Sequence, residues 1–141
     1  MKVEQVRNCD DALLIGVNAL LPQLSGTARP LSQSEIKTIV DSDTAYLLVA
    51  RDDNKICGML TLIVFRIPTG VRAWIEDVVV SESSHGKGVG KSLLASAANM
   101  AREQGARTID LTSRPEREAA NRLYRKAGFV QRDTNVYRIV L

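Results

Sequence analysis

The chain has 141 residues and a net charge of +3, with 45% hydrophobic and 25% charged residues. These values are typical of a single globular domain over residues 1–141, and they exclude fibrous and disordered classes. No apolar run approaches the roughly 20 residues that span a bilayer, and the two cysteines form no CxxC pair. Basic residues are not interleaved with aromatic ones, as they often are in proteins that bind nucleic acids. We therefore expect a cytoplasmic protein with no metal, membrane or nucleic-acid partner.

Hydrophobic periodicity divides the chain into seven predicted strands and four predicted helices. In chain order they are the strand 2–7, the helices 11–24 and 33–41, the strands 45–50, 56–65 and 71–80, the helix 89–105, the strand 107–111, the helix 116–127, and the strands 129–131 and 136–140. Ser32 and Glu35 form a capping box at the second helix, and Gly105 and Gly128 end the third and fourth helices.

The order of these elements predicts the fold class. A run of antiparallel strands leads into a strand–helix–strand crossover, which joins parallel strands. The sequence therefore predicts an α+β domain with one mixed, mostly antiparallel sheet of about seven strands, flanked by four helices.

A glycine-rich segment connects the predicted strand 71–80 to the helix that follows it, and it reads His85-Gly86-Lys87-Gly88-Val89-Gly90-Lys91. Glycines let backbone amides approach a ligand, and the first amides of a helix have no internal partner. The segment therefore predicts a site for phosphate or pyrophosphate, to which Lys87 and Lys91 add positive charge. A glycine turn without a ligand is the alternative for this segment alone.

Three phosphate-binding patterns compete for the segment. The dinucleotide pattern G-x-G-x-x-G fails, because the residue three positions after Gly88 is Lys91. The P-loop pattern finds Gly90, Lys91 and Ser92 in place, but its first position is His85. The third pattern, [QR]-x-x-G-x-[GA], is that of the GNAT superfamily of acyl-CoA N-acyltransferases, and it matches except that His85 replaces Gln or Arg.

The sequence on both sides of the segment favours the third pattern. Residues 74–81 resemble the fourth strand of GNAT enzymes, and residues 119–129 are similar to their A-x-x-L-Y-x-K-x-G-F motif. The resemblance implies an N-acetyltransferase that moves an acetyl group from acetyl-CoA to a primary amine, by direct attack in a ternary complex. A non-catalytic acyl-CoA sensor and a P-loop nucleotide-binding protein remain the alternatives.

The resemblance also implies which residues bind acetyl-CoA. The backbone of residues 78–80 would pair with the pantetheine arm, and the amides of residues 86–91 would hold the pyrophosphate. Asn121 would replace a CoA-contacting Asn of the family, whose position here is Arg117. The implied binding residues are Val78, Val79, Val80, His85, Gly86, Lys87, Gly88, Val89, Gly90, Lys91 and Asn121. On this basis we expect Gly90→Val to push a side chain into the phosphates without unfolding the chain.

Catalysis needs a base for the amine, a donor for the oxyanion and a proton for the leaving thiolate. The resemblance implies that Tyr124 protonates the thiolate and that an amide at or near Val78 meets the oxyanion. We favour Glu76 as the base and expect Asp77 to be a structural partner of the backbone, because neighbours on a strand face opposite sides. Deprotonation through a water chain remains open.

The acceptor is predicted only as a small amine or a peptide. The triplet Ile75-Glu76-Asp77 is similar to glucosamine-6-phosphate N-acetyltransferases, which would imply a phosphorylated acceptor. The arginines that could hold its phosphate are Arg29, Arg66, Arg72 and Arg114. The sequence leaves the oligomeric state open, and strand pairing of residues 135–141 is one way in which a homodimer could form.

Overall fold

The computed structural model describes residues 1–141. Its elements are β1 (Lys2–Gln5), α1 (Asp11–Leu24), α2 (Gln33–Val40), β2 (Ala45–Asp52), β3 (Lys55–Ile67), β4 (Gly70–Val80), a short 3₁₀ helix (Glu82–Ser84), α3 (Val89–Glu103), β5 (Ile109–Asp110) and α4 (Glu118–Lys126). None of the helices is long and apolar enough to cross a bilayer.

The five strands form one sheet in the order β1-β2-β3-β4-β5. The first four pair antiparallel, and β5 pairs parallel to β4. The turn between β2 and β3 is tight, since Asp52 pairs with Lys55 and Asp53 has a φ of 53°. The predicted mixed α+β sheet and its four helices are confirmed.

The sheet separates two hydrophobic cores. One core lies under α1 and α2 and includes Leu13, Val17, Leu20 and Ile36. The other lies under α3 and α4 and includes Leu93, Leu94, Ala97, Ala101 and Tyr124. The buried residues of α1 and α3 recur three or four positions apart, because that spacing keeps side chains on one helical face, and α2 and α4 contribute one buried residue each. The domain therefore has three layers, with helices on both sides of the sheet.

The predicted helix boundaries follow local chemistry. Ser32 Oγ accepts from the Glu35 amide at 3.1 Å, and the Glu35 carboxylate accepts from the Ser32 amide at 3.2 Å, so the capping box is confirmed. Gly105 and Gly128 have φ values of 86° and 99° after α3 and α4. Such values favour glycine, which explains why both helices end there.

The sheet has five strands, so the prediction of about seven is wrong. Residues 129–131 and 136–140 form no strand, and residues 130–141 are all exposed. β5 is two residues long, and α4 begins at Glu118 and not at residue 116. A run of β-formers favours an extended backbone, but a strand also needs an edge to pair with, and the sequence pattern does not supply that edge.

Candidate active site

An opening between β4 and β5 lies next to the glycine-rich segment. β5 pairs with β4 only at Ala73 and Trp74, although β4 continues to Val80. The edge of β4 that faces β5 is therefore unpaired beyond Trp74. Unpaired backbone N–H and C=O groups on a strand edge can bind an extended ligand as an added strand would.

A β-bulge interrupts β4 within this opening. Thr61 pairs with Glu76 and Met59 pairs with Val79, so β4 has one residue more than β3 in this interval. Asp77 lies in the bulge with a φ of 55°. The bulge also changes the faces of the strand, because Ile75 packs in the α3 core whereas Val79 packs in the α1 core. Simple alternation along β4 therefore does not hold at Glu76 and Asp77.

The two carboxylates at the bulge have different environments. Trp74 Nε1 donates to Glu76 Oε1 at 2.8 Å. Partial burial, followed by the charge of Glu76, raises the pKa of Asp77. No hydrogen bond contributes to the pKa of the Asp77 carboxylate, so the expectation that it is a structural partner of the backbone has no support in the contacts.

Carboxylates border the α1 side of the opening. Trp74 pairs with Asp110, and residues paired in a ladder share a face, so Asp110 lies on the same side as Trp74 and Glu76. No three His, Cys, Asp or Glu side chains cluster as metal ligands would. This side of the site therefore presents negative charge.

The arginines predicted to hold a phosphate do not form one cluster. Arg29 pairs with Glu35 at 3.3 Å, and Arg114 lies 3.9 Å from Glu116. Arg66 and Arg72 lie near the turn between β3 and β4, four or more residues along the strands from Glu76 and its partner. At about 3.3 Å per residue, that turn is roughly 13 Å from the carboxylates.

The glycine-rich segment presents free backbone amides. Gly86 and Gly88 have φ values of 79° and 78°, and a Cβ at either position would meet nothing within 4 Å. The first hydrogen bond of α3 runs from the Ser92 amide to the Gly88 carbonyl at 3.0 Å, so the amides of residues 89–91 have no partner inside the helix. Lys87 and Lys91 are exposed beside them. The segment retains the geometry of an anion site.

Gly90 has a different role from Gly88. It is buried, and a Cβ added there would lie 2.7 Å from Leu123 Cδ2 of α4. Valine at position 90 would therefore press on Leu123 of α4, so Gly90→Val changes the packing of α4 as well as any contact with phosphate. The amide of Gly90 has no partner inside the helix.

His85 and Gln23 both form hydrogen bonds with the last residue of β4. His85 Nε2 lies 2.9 Å from the Val80 carbonyl oxygen, and Gln23 Nε2 donates to the same oxygen at 2.9 Å. The Glu82 amide also donates to Gln23 Oε1 at 3.4 Å. Sequence reasoning missed Gln23, since a single Gln near the end of α1 belongs to no motif. The predicted contact of His85 with phosphate is not tested by these bonds.

Tyr124 lies on α4 and packs in the core on the α3 side of the sheet. Its side chain is 6% exposed and packs edge to face against Phe129, with ring centroids 6.0 Å apart. Burial raises the pKa of the Tyr124 hydroxyl, which therefore stays protonated at neutral pH. Ser113 Oγ is the one fully buried side-chain polar atom without a hydrogen bond. The Tyr124 hydroxyl is therefore not a fully buried group without a partner.

Asn121 forms hydrogen bonds with the backbone of the loop that precedes α4. Its Nδ2 donates to the Arg114 carbonyl at 3.0 Å and lies 3.5 Å from the Pro115 carbonyl. The amide nitrogen is thus engaged by backbone, while the contact of Asn121 with CoA stays a prediction. Tyr124 thus packs on the α3 side of the sheet, whereas Glu76 and Asp110 lie on the α1 side.

Comparisons with known proteins agree with this arrangement. A family model described as the acetyltransferase (GNAT) family matches residues 18–129. The uncharacterized N-acetyltransferase YhdJ of Bacillus subtilis (strain 168) is 33% identical over 113 residues, covering 68% of this chain and 78% of the relative. The aminoglycoside acetyltransferase meta-AAC0020 from an uncultured soil metagenomic sample, in complex with sisomicin, has a TM-score of 0.87 at 19% identity, with 99% of this chain and 95% of that chain covered. The aminoglycoside N-acetyltransferase AAC(6')-Iy in complex with CoA has a TM-score of 0.82 at 16% identity, with 99% and 93% covered.

Proposed function

The chain belongs to the GNAT acetyltransferase family, and from that premise we propose that it transfers an acetyl group from acetyl-CoA to a primary amine in a ternary complex. The observation that carries the proposal is the opening beside β4, where an unpaired strand edge leads directly to the free amides of the glycine-rich segment. Both features suit one ligand in which an extended arm is joined to a pyrophosphate.

The backbone binds the donor in this proposal. The edge of residues 78–80 pairs with the pantetheine arm, and the amides of residues 86–91 bind the pyrophosphate, aided by Lys87 and Lys91. The space where a Cβ of Gly86 or Gly88 would lie is empty, which leaves room for phosphate oxygens. The residues present therefore fit acetyl-CoA, which supplies the activated acetyl group.

Side chains carry the chemistry. A bond forms between the amine nitrogen and the acetyl carbon, and the bond between that carbon and sulfur breaks. Tyr124 donates its hydroxyl proton to the leaving sulfur, for which its raised pKa keeps it protonated. The amine proton leaves to a carboxylate at the bulge or to water beside it.

The choice of base depends on the two carboxylates at the bulge. Glu76 is the base favoured by sequence, but it accepts a hydrogen bond from Trp74. Asp77 has a raised pKa and no protein donor, and a more basic carboxylate is the better proton acceptor. We therefore assign proton removal to Asp77 and assign to Glu76 the binding of the acceptor cation.

The acceptor is, in this proposal, an unphosphorylated small amine that carries more than one positive charge. Glu76 and Asp77 are neighbours at the bulge and Asp110 pairs with Trp74, so three carboxylates on these two strands would attract ammonium groups. A phosphorylated amino sugar has less support, because Arg29 is paired with Glu35 and the other arginines lie apart. The aminoglycoside acetyltransferase meta-AAC0020, which has the same fold at 19% identity, binds sisomicin.

Two glycines at the ends of α3 provide a matched test of donor binding. Gly88 and Gly105 have φ values of 78° and 86°, and a Cβ at either meets nothing within 4 Å, so alanine at each position causes the same backbone strain. We expect Gly88→Ala to weaken acetyl-CoA binding about tenfold or more by calorimetry, roughly 1.4 kcal/mol, and Gly105→Ala to leave it unchanged. Equal affinities for the two folded variants would contradict the proposed pyrophosphate site.

Turnover distinguishes the enzyme from the other candidates. Thiol release from acetyl-CoA should be steady with polyamines or aminoglycosides and weak with glucosamine 6-phosphate. Stabilisation by acetyl-CoA without thiol release from any amine would indicate an acyl-CoA sensor. Stabilisation by ATP but not by acetyl-CoA would indicate a nucleotide-binding protein.

A further inference from the structure

The helices α1 and α2 cover only part of their side of the sheet. Their core takes Met59 from β3 and Val79 from β4, which pair with each other. Farther along the same two strands, Ile63, Phe65 and Trp74 are only partly buried and belong to neither hydrophobic core. Three large apolar side chains are therefore left at the surface of the domain.

Strand pairing places these three side chains on one face together with charged groups. Trp74 pairs with Ile63 of β3 on one side and with Asp110 of β5 on the other. Paired residues share a face, and so do residues two apart on a strand, so Phe65 and Glu76 lie on this face too. The surface is called the open face below, and its members are Ile63, Phe65, Arg72, Trp74, Glu76 and Asp110.

Trp74 forms the centre of the open face. Its indole N–H donates to Glu76 Oε1 at 2.8 Å, so the ring leans along β4 toward the bulge. This bond restrains the orientation of the ring, while partial burial leaves some of the ring surface uncovered. An indole offers a broad apolar surface, and among aromatic side chains it attracts cations most strongly. Trp74 therefore provides a fixed platform beside the carboxylates of the bulge.

Charge is unevenly distributed along the open face. Glu76 is two residues from Trp74 along β4, or about 7 Å, and Asp110 is one strand away, or about 5 Å. Arg72 lies at the other end of the face, about 13 Å along β4 from Glu76, and its guanidinium donates to Thr69 Oγ1. Ammonium groups are thus attracted to the end near Trp74 and repelled from the end near Arg72.

We propose that the open face selects acceptors that carry two or more amines on one ring, which rests on the acetyl transfer proposed above and adds the shape of the acceptor. The ring packs on the indole of Trp74, and its ammonium groups bind to Glu76 and Asp110. A ring presents one broad apolar face and keeps its amines close together. A linear polyamine spreads its charges toward Arg72 and loses more conformational freedom on binding.

The fluorescence of Trp74 provides the test, because it is the only tryptophan of the chain and reports binding at the open face directly. The two ligands are trans-diaminocyclohexane, with its amines on opposite ring carbons, and the linear diaminohexane, which has as many carbons and amines. We expect the cyclic diamine to change the emission in a saturable way. It should bind about threefold to tenfold more tightly than the linear diamine.

Two carboxamide variants separate the open face from general charge attraction. Asp110→Asn should weaken binding of the cyclic diamine about threefold or more at low salt. Asp53→Asn is the matched control, since it makes the same change of charge in the turn between β2 and β3, where asparagine accepts the positive φ. The control should leave the affinity unchanged.

Trp74→Leu removes the platform but keeps an apolar residue on the strand. Calorimetry should show similar affinities for the cyclic and the linear diamine in this variant, because the cyclic diamine loses its advantage. Acetyl-CoA affinity should be unchanged, which also shows that the variant is folded. A preference for the cyclic diamine that persists in folded Trp74→Leu would overturn the proposal.

The titrations of the parent chain give further contrary outcomes. An unchanged emission with both diamines, or equal affinities for the two, would overturn the proposed selection. Equal losses in Asp110→Asn and Asp53→Asn would do the same, since they would indicate general charge attraction. Thiol release is not needed for any of these measurements. Preferential binding of the cyclic diamine without thiol release would contradict the acetyl transfer and would leave the ring selectivity standing.

Discussion

The glycine-rich segment and the bulge of β4 border the same opening, but they are built from different parts of the chain. The segment offers backbone amides, and its side chains leave the space beside Gly86 and Gly88 empty. The bulge offers side chains, since Glu76 and Asp77 meet there and Asp77 has a positive φ. One region is suited to bind a ligand, and the other is suited to react with one.

This difference predicts which substitutions each region tolerates. Amides are present in every residue, so the segment can keep its function although His85 replaces the Gln or Arg of the family pattern. A carboxylate or hydroxyl has no such substitute, and its position depends on the bulge. Losses at the segment should therefore lower acetyl-CoA affinity, and losses near the bulge should lower turnover.

The largest expected effect separates turnover from affinity at Tyr124. Tyr124→Phe keeps the ring packed against Phe129 but removes the proton donor. We expect kcat to fall by about ten- to a thousandfold, or roughly 1.4 to 4 kcal/mol of barrier, with little change in acetyl-CoA affinity. Steady-state kinetics beside direct binding measures both quantities.

Tyr46→Phe is the matched control for that variant. The Tyr46 hydroxyl donates to a carbonyl and lies 2.9 Å from Gln104 Oε1, on another part of the chain, so kcat should not change. A kcat of Tyr124→Phe within twofold of the parent, when chemistry limits turnover, would make Tyr124 a packing residue.

Gly90→Val tests whether the two glycines of the segment differ. The added side chain collides with Leu123, and overpacking of this kind costs about 1 to 3 kcal/mol of the free energy of unfolding. Urea denaturation should show this loss, and adding Leu123→Ala should recover part of it. If both single variants lose stability independently, so that the double variant shows the sum, Gly90 and Leu123 do not contact as described.

Asp77→Asn tests the reactive region against the binding region. We expect kcat to fall about tenfold, roughly 1.4 kcal/mol, while acetyl-CoA affinity stays constant. In the parent, activity should decline as pH falls through the raised pKa of Asp77. The pH profile of the variant should not show this decline on its acid side. Glu76→Gln is the comparison, with an effect mainly on the KM for the amine. The reverse pattern, a larger kcat loss in Glu76→Gln, would return the role of base to Glu76.

The same pKa predicts the sign of a stability change. The folded state holds the Asp77 proton more tightly than the unfolded state, so the parent loses stability as pH rises from the unfolded pKa through the raised folded one. Asp77→Asn removes this loss. Its thermal midpoint should exceed that of the parent slightly at pH 7, and the excess should shrink in acid. A variant that is less stable at pH 7 would argue against desolvation as the cause.

The smallest expected effect lies between the two regions, at Gln23. Gln23→Leu removes one of two donors to the Val80 carbonyl and the acceptor of the Glu82 amide. We expect a loss of about 0.5 to 1.5 kcal/mol of stability and a few-fold weaker acetyl-CoA binding. Gln33→Leu removes a similar bond, to the Cys9 carbonyl, and should leave affinity unchanged. Equal affinities for both variants would show that Gln23 does not position the segment.

Much of the fold could be predicted because its causes are local. Ser32 and Glu35 lie one helical turn apart, and Gly105 ends α3 through its own φ. The hairpin between β2 and β3 follows from a polar turn between two apolar runs. The free edge of residues 78–80 was expected only through the resemblance of residues 74–81 and 119–129 to a family, since no property of a single strand predicts where its neighbour diverges.

By itself, the sequence determined the four helices, the strands β1 to β4, the glycine-rich segment and the family. Short-range hydrogen bonds and backbone preferences decide these features, and both are set by neighbouring residues. Only the tertiary structure decided the bulge at Asp77, the contact of Gly90 with Leu123 and the bond from Gln23 to a residue 57 positions away. It also decided that residues 130–141 pair with no strand of their own chain. These features depend on which distant surfaces meet when the layers pack, and hydrophobic periodicity fixes the face that a residue buries but not the partner that it meets.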